Sequence, residues 1–459
     1  MVPASLSFDI SAIRENSMAR RNKLILGAFL QTPGQHTAGW RYPRANAEAS
    51  LDIDAQIAFA RTAERGLFHA IFIADTLPFP VNLNDETLSY SARVVDFEPI
   101  TLLSALAVAT NRIGLVGTVT TTYYEPYTVA RQLASLDYLS KGRAGWNVVT
   151  SSNSAEAFNY GKREHPLHSL RYVRAREFVD IVKGLWDSWD DDAFLFDKAS
   201  GKFFIPEKMH VLNHQSPQFN IRGPLGVARP PQGHPVIVQA GSSDAGRTAA
   251  ASFADVIFTA QSDLAGAIAF YDDVRARTSA AGRDPDHIAI LPGVTPVVAA
   301  TRSEAEDKYA QLQDLIHPVA GVAMLSGAAG ADLSKYSIDG PLPEVPPTEG
   351  DKTRQELLVA HARETGKSIR DLYRWLASGY NTVVGTPTDI ADHFEHWFNS
   401  GAADGFNVRF SYLPGDLDDF VDLVVPELQR RGLYHDAYEG VTLRDNLQIP
   451  RPHSRYRRD

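Results

Sequence analysis

Cysteine is missing altogether from this chain of 459 residues. Its absence excludes disulfides, Cys-ligated zinc or iron–sulfur centres, thiolate nucleophiles and any flavin chemistry that works through an enzyme thiol. No apolar run approaches the roughly 20 residues that a membrane-spanning helix needs. The stretch Leu24–Leu30 is too short, and it lacks the small-residue cleavage site of a secretory signal. The expectation is a soluble, cytoplasmic protein. Excess positive charge is lacking too: 45 Lys+Arg against 55 Asp+Glu leave a formal charge of -10. That balance repels a phosphate backbone and argues against nucleic acid as a partner. Three catalytic signatures are also absent, namely the G-x-S-x-G elbow, the G-x-x-x-x-G-K-[ST] loop and the H-E-x-x-H helix.

What is present is a repeated strand-then-helix pattern. At about 150 residues per domain the length suggests roughly three domains, but one enlarged α/β barrel fits as well. Eight β-rich runs recur: Leu24–Leu30, His69–Asp75, Ile113–Val119, Arg143–Val149, Pro235–Gly241, Asp255–Ala260, Ile288–Val294 and Gly405–Ser411. Eight runs separated by helical spacing predict an α/β fold of the TIM (β/α)8 barrel type. After the fourth run, Phe178, Ile181, Val182, Leu185 and Trp189 share one helical face, as an outer barrel helix requires. An open doubly wound sheet is disfavoured because the first run is not followed by a Gly-rich phosphate turn. Two stretches break the pattern and read as insertions after strands 4 and 7: residues 190–234 and residues 317–392, the second expected to act as a lid. The basic segment 450–459 reads as a mobile tail, with a subunit-binding arm as the alternative. The whole of 1–459 is then one barrel.

In such a barrel the chemistry sits where strands end, so polar residues just after each run take priority. These are Gln35, His36 and Trp40 after the first run, Asp75 closing the second, Thr118 and Thr120 in the third, and Asn147 in the fourth. The loop REHPLHSLRY adds His165, His168 and Tyr172. In QAGSSDAGR, Gly241, Ser242, Ser243 and Gly246 stand at a strand-to-helix transition, where small residues and free N–H groups suit a phosphate. A plain helix cap explains Ser243 equally well. The H-x-x-H pair lacks a third carboxylate ligand, so no metal site is expected. Trp40, Tyr123, Tyr124 and Phe158 are candidates for an aromatic wall. A glycosidase-type carboxylate pair would have to join Asp75 to Glu125, which lies in a loop before a proline.

The segments FIADT, TVTTTYYEPYTVARQLASLDYLSKGRAGWNVVTS, REHPLHSLRY, GLWDSW and HPVIVQAGSSDAGRTAA, in this order and spacing, make the chain resemble the bacterial-luciferase-like monooxygenases over almost its whole length. Within them it is similar to the group containing nitrilotriacetate monooxygenase component A and dibenzothiophene sulfone monooxygenase. The resemblance implies a barrel that takes reduced FMN (FMNH2) from a separate NAD(P)H:FMN reductase. It further implies that O2 is used through a flavin C4a-(hydro)peroxide to oxygenate a small organic substrate, and that the chain forms a homodimer or homotetramer. Carried over residue by residue, Asp75 and Thr118 fall beside the flavin ring, Asn147 beneath it, His168 and Tyr172 along the ribityl phosphate, and Ser243 at the phosphate. His36 and His317 are the candidates for proton delivery or for contacting the oxygen species or the substrate, since histidine exchanges protons near neutral pH. Aromatics in the insertions favour a sulfone, an amine or another hydrophobic substrate over a polycarboxylate. Two alternatives share this fold: a deazaflavin (F420)-dependent oxidoreductase and a flavin-binding protein without activity.

Overall fold

The computed structural model describes residues 21–75, 88–151, 153–348, 352–379 and 381–457. Eight strands form a closed parallel barrel: β1 (Ile25–Phe29), β2 (Ala70–Ile73), β3 (Gly114–Thr120), β4 (Ala144–Val149), β5 (Val236–Gln239), β6 (Val256–Thr259), β7 (Ala289–Val298) and β8 (Gly405–Arg409). Each pairs with its neighbour in chain order, and β8 pairs with β1 to close the ring, with Ile25 opposite Gly405 and Phe29 opposite Arg409. This is a TIM barrel, and each predicted run overlaps one of its strands, although β3 continues to Thr120 and β7 to Val298 beyond the predicted ends.

Both faces of these strands are buried, which is why they read as continuous apolar runs rather than alternating ones. Ile25 and Phe29 point inward and pack with Phe72, Val116, Val238, Val256 and Leu291, while Leu443, Leu447 and Ile449 plug the barrel from below. Leu26 and Ala28 face outward into the core shared with the surrounding helices. Gly27 holds an inward position because a Cβ there would lie 2.9 Å from Asn407 Oδ1. Helix starts are fixed by side chains: Asp52 accepts from Asp54 N and Ala55 N, and Thr301 with Glu304 closes a capping box.

The helix after β4 spans His168–Trp186 and buries Phe178, Ile181, Val182 and Leu185. Trp189 lies beyond its end, where its indole N–H donates to the Leu225 carbonyl and its ring packs on Phe194 and Phe204. Segment 190–234 is built on short antiparallel contacts, including His214–Gln215 against Asn220–Ile221. Its acidic run is engaged in ion pairs, Asp191 with Arg229 and Arg451, and Asp192 with Lys208. Residues 450–457 do not hang free. Arg451 forks onto Asp191 at 2.6 and 2.8 Å, Arg455 N donates to Asp187, and Tyr456 stacks on His210.

Beyond β7, the helices Pro318–Ala329, Lys352–Thr365 and Ile369–Ser378 form a unit with its own apolar core, built on Leu325, Leu358, Leu372 and Tyr373. Ala38, from the loop after β1, is part of that core and joins the unit to the barrel. A strand at Thr382–Gly385 then pairs with the extended end of β7. The helix Pro387–Asn399 runs across position 392 and packs on the barrel through Ile390 and Phe394.

Candidate active site

Thr118 stands opposite Asn147 in the β3–β4 pair. Asn147 Nδ2 donates to Thr118 Oγ1 at 2.9 Å, and Thr118 Oγ1 donates to the Ile73 carbonyl at 2.8 Å. The threonine proton is therefore committed, and the residue acts by orienting Asn147. This leaves Asn147 Oδ1 buried with no hydrogen-bond donor. On the neighbouring strand β5, Gln239 Oε1 is a second buried acceptor without a donor. An unsatisfied buried acceptor costs about 1–3 kcal/mol, and of these two Gln239 lines a cavity while Asn147 stands opposite inward-facing Val238 in the barrel.

The barrel mouth opens into a cavity of about 780 Å³, and a second of about 230 Å³ adjoins it. His36, His168, Tyr172 and Ser243 line the first, while Asp75, Thr118 and Tyr172 line the second. Tyr172 and Gly241 belong to both. Phe29 and Phe258 form the floor, with Phe72 packed edge-on against Phe29 at 5.1 Å. From above, Ala320, Ala323, Met324 and Gly327 of the three-helix unit face the same space. Asp75 also borders a third cavity, of about 480 Å³, together with Arg93 and Asp96. Burial raises the Asp96 carboxyl to about 6.

Ser243 caps the helix Asp244–Phe253: its Oγ accepts from Gly246 N at 3.2 Å. Accepting that bond uses a lone pair and leaves the hydroxyl proton available, so capping and anion binding are compatible in one side chain. A Cβ at Gly241 would lie 2.4 Å from Gln239 Nε2 and 2.9 Å from Tyr172 Oη and would displace both side chains. His168 opens its own helix, with its ring 5.0 Å from that of Tyr172. His165 has different company: Tyr123 Oη lies 2.6 Å from its Nδ1, and Arg171 meets its Nε2. Among the described residues no group of three or more His, Asp or Glu side chains is arranged to hold a metal.

The two candidate histidines differ in position. His36 is buried in the cavity wall; its Nδ1 accepts from Ala38 N at 3.1 Å, which puts the proton on Nε2, and Nε2 has no partner. Burial, reinforced by the Arg93 charge, lowers its pKa to about 3. The ring is thus a neutral hydrogen-bond donor at physiological pH rather than a group that titrates near it. His317 precedes the helix Pro318–Ala329, stacks on Tyr90 with centroids 4.0 Å apart, and is not among the described residues lining the cavity.

Several lining groups carry no sequence signal of their own. Gln239 and the phenylalanine floor lie inside apolar runs, and Arg93, Arg354 and Arg409 come from three distant parts of the chain. Burial and the neighbouring Arg354 and Arg409 together lower Arg93 to about 10, which places like charges close together in the wall. Phe158, by contrast, is exposed and builds no wall. Glu125 lies exposed at the start of the helix Pro126–Leu139, with Arg174 at 4.0 Å.

A parallel barrel with an anion-capable helix start and buried acceptors at its carboxyl end defines a class of site, and comparison with known proteins gives the family. The model for luciferase-like monooxygenases matches residues 29–404. The chain is 47% identical over 443 residues to the N-acetyl-S-(2-succino)cysteine monooxygenase of Bacillus subtilis, covering 95% of this chain and 99% of that one. It is 48% identical over 445 residues to nitrilotriacetate monooxygenase component A of Aminobacter aminovorans, covering 95% and 98%. Among solved structures, a riboflavin lyase with modified FMN and riboflavin superposes with a TM-score of 0.84 at 32% identity, covering 93% of this chain and 95% of that one. The chain belongs to the luciferase-like monooxygenases. No helix among the described residues is long and apolar enough to cross a membrane.

Proposed function

We propose that the protein is the oxygenating component of a two-component system, binding reduced FMN delivered by a separate NAD(P)H:FMN reductase and oxygenating a small organic substrate with O2. The observation that carries this reading is the unsatisfied acceptor Gln239 Oε1 in the cavity lining, beside the small-residue turn that ends in Ser243. An open acceptor next to an anion-capable helix start suits a heterocycle bearing N–H groups and a phosphate tail. The name of the Aminobacter relative, a component A, supports a separate partner component.

Reduced FMN, when bound, supplies the electrons and the ring on which oxygen is activated. This chain's residues bind, orient and shield. Ser243, His168 and Tyr172 hold the phosphate end, Thr118 fixes Asn147 toward the ring, and Asp75 borders the same space. The His36 Nε2–H donates a hydrogen bond to a developing negative charge on oxygen without itself becoming charged. The phenylalanine floor and the three-helix unit keep water from the reacting centre. His317 acts from outside the lining, by tying that unit to Tyr90.

Arg93, Arg354 and Arg409 in the wall support a substrate with carboxylate groups over the hydrophobic one suggested by the aromatic insertions. Both relatives named above take their names from compounds with several carboxylates. The test is to mix the protein with reduced FMN without oxygen, admit isotopically labelled O2 with candidate tricarboxylic amines, thioethers or sulfones, and weigh the products. Label in the product supports the reading. Hydride transfer to substrate without oxygen uptake would instead assign the deazaflavin alternative, and flavin binding without turnover of any candidate would leave a binding protein.

A further inference from the structure

A separate cavity, of about 270 Å³, opens at the opposite end of the barrel, walled by Lys183, His234, Asp255, Arg283, His287 and Arg444, with Pro450 and Pro452 at its edge. His234 and Asp255 stand just before β5 and β6, and Lys183 lies in the last turn of the helix His168–Trp186. This is the amino-terminal face, remote from the flavin site.

The polar groups here are accounted for one by one. Asp255 Oδ2 accepts from Ile237 N at 2.9 Å and from Arg444 Nη2 at 2.7 Å, and Arg444 also donates to the His234 carbonyl. Arg283 donates to the carbonyls of Ala251 and Ala254 at the end of the helix Asp244–Phe253, with Asp255 Oδ1 at 3.9 Å. His234 Nε2 is paired with Asp187 at 3.0 Å. At the mouth, half-exposed His287 lies 3.7 Å from half-exposed Asp284. The Lys183 ammonium alone makes no hydrogen bond and no close ion pair with any described residue. Lys183, Arg283 and Arg444 thus share the lining with two carboxylates, Asp255 and Asp284, and Asp255 is already bonded to Arg444.

We infer that this cavity binds a small oxyanion of the phosphate class, held by the Lys183 ammonium with Arg283 and Arg444 alongside. Lys183 has three N–H donors to give, and an anion offsets the surplus positive charge that Asp255 and Asp284 leave among the three cations. Burial together with Arg283 and Arg444 lowers the Lys183 pKa to about 8 against the pull of Asp255 and Asp180, so the carboxylates nearby do not offset its desolvation. The volume falls below the roughly 300–1,000 Å³ of pockets for larger ligands, so the occupant is the free anion with its waters rather than a nucleotide.

The test uses the full-length protein. Lysines are acetylated with acetic anhydride near pH 8, with inorganic phosphate or with chloride at matched ionic strength, and the Lys183 peptide is quantified by mass spectrometry. Phosphate slows labelling of Lys183 by about fivefold once it is several times its Kd, while exposed Lys198 and Lys202 label at an unchanged rate. Arg283→Met weakens that protection, shifting the phosphate midpoint by about tenfold. Labelling of Lys183 that is the same in phosphate and chloride overturns the proposal. So does undiminished protection in Arg283→Met, since it places the anion elsewhere.

Discussion

The cluster around Arg143 at one end of this barrel and the groups around Asn147 at the other treat their buried polar atoms in opposite ways. At the amino-terminal end Arg143 donates to the carbonyls of Ser140, Ile113, Ala107 and Thr110, and Asp137 accepts from Ala144 N, Gln232 N and Gln232 Nε2. At the carboxyl end His36 Nε2, Asn147 Oδ1 and Gln239 Oε1 are buried without partners. The Arg143–Asp137 cluster is closed by its own hydrogen bonds and holds the barrel together, apart from the open Lys183 cavity at the same end. The groups at the carboxyl end leave hydrogen bonds unmade, which the proposed function assigns to a ligand.

Substitutions at the two ends sharpen this contrast. The largest effect on stability is expected from Arg143→Met, which leaves several buried carbonyls without donors. Unfolding in urea should show a loss of at least about 3 kcal/mol, and a loss below about 1 kcal/mol would erase the distinction. Asn147→Leu at the other end should do the reverse, changing stability by less than about 1 kcal/mol while weakening reduced FMN by about 1.5–3 kcal/mol in a flavin titration. Ser243→Ala should weaken reduced FMN by a similar 1.5–3 kcal/mol or so through the lost charge-assisted bond, and unchanged affinity would return Ser243 to an ordinary cap. The subtlest effect concerns pH. The folded pKa of His36, about 3, lies below its ordinary 6.5, so its contribution to stability is complete above pH 6.5 and is lost as pH falls toward 3. His36→Asn should flatten the melting temperature over that window, and a parallel pH profile would show that the ring is solvated.

The barrel was legible because a parallel sheet buried on both faces writes its strands as apolar runs, as in HAIFIAD and IAILPGV. The same property hid part of the site. Within such a run nothing distinguishes Phe29 and Phe258, which floor the cavity, from Leu26, which faces the helices. Polar residues at strand ends stood out, and of these Asp75 and Thr118 border a cavity, while Asn147 lies beneath it, bonded to Thr118. Arg93, Arg354 and Arg409 were not, since only folding brings them to one wall. The closing basic segment looked free for a related reason: its partners Asp180, Asp187 and Asp191 are more than two hundred residues away in sequence.

The helix Pro318–Ala329 presents Ala320, Ala323 and Gly327 to the cavity, while the core of its own unit is built on Leu325, Ala328, Leu372 and Tyr373. Enlarging one of those small side chains therefore reshapes the substrate end without disturbing either the barrel core or the groups around Asn147 and Ser243. Substrate choice can then be altered by exchanging a few methyl-sized residues on one roof, with the strand-end groups left unchanged.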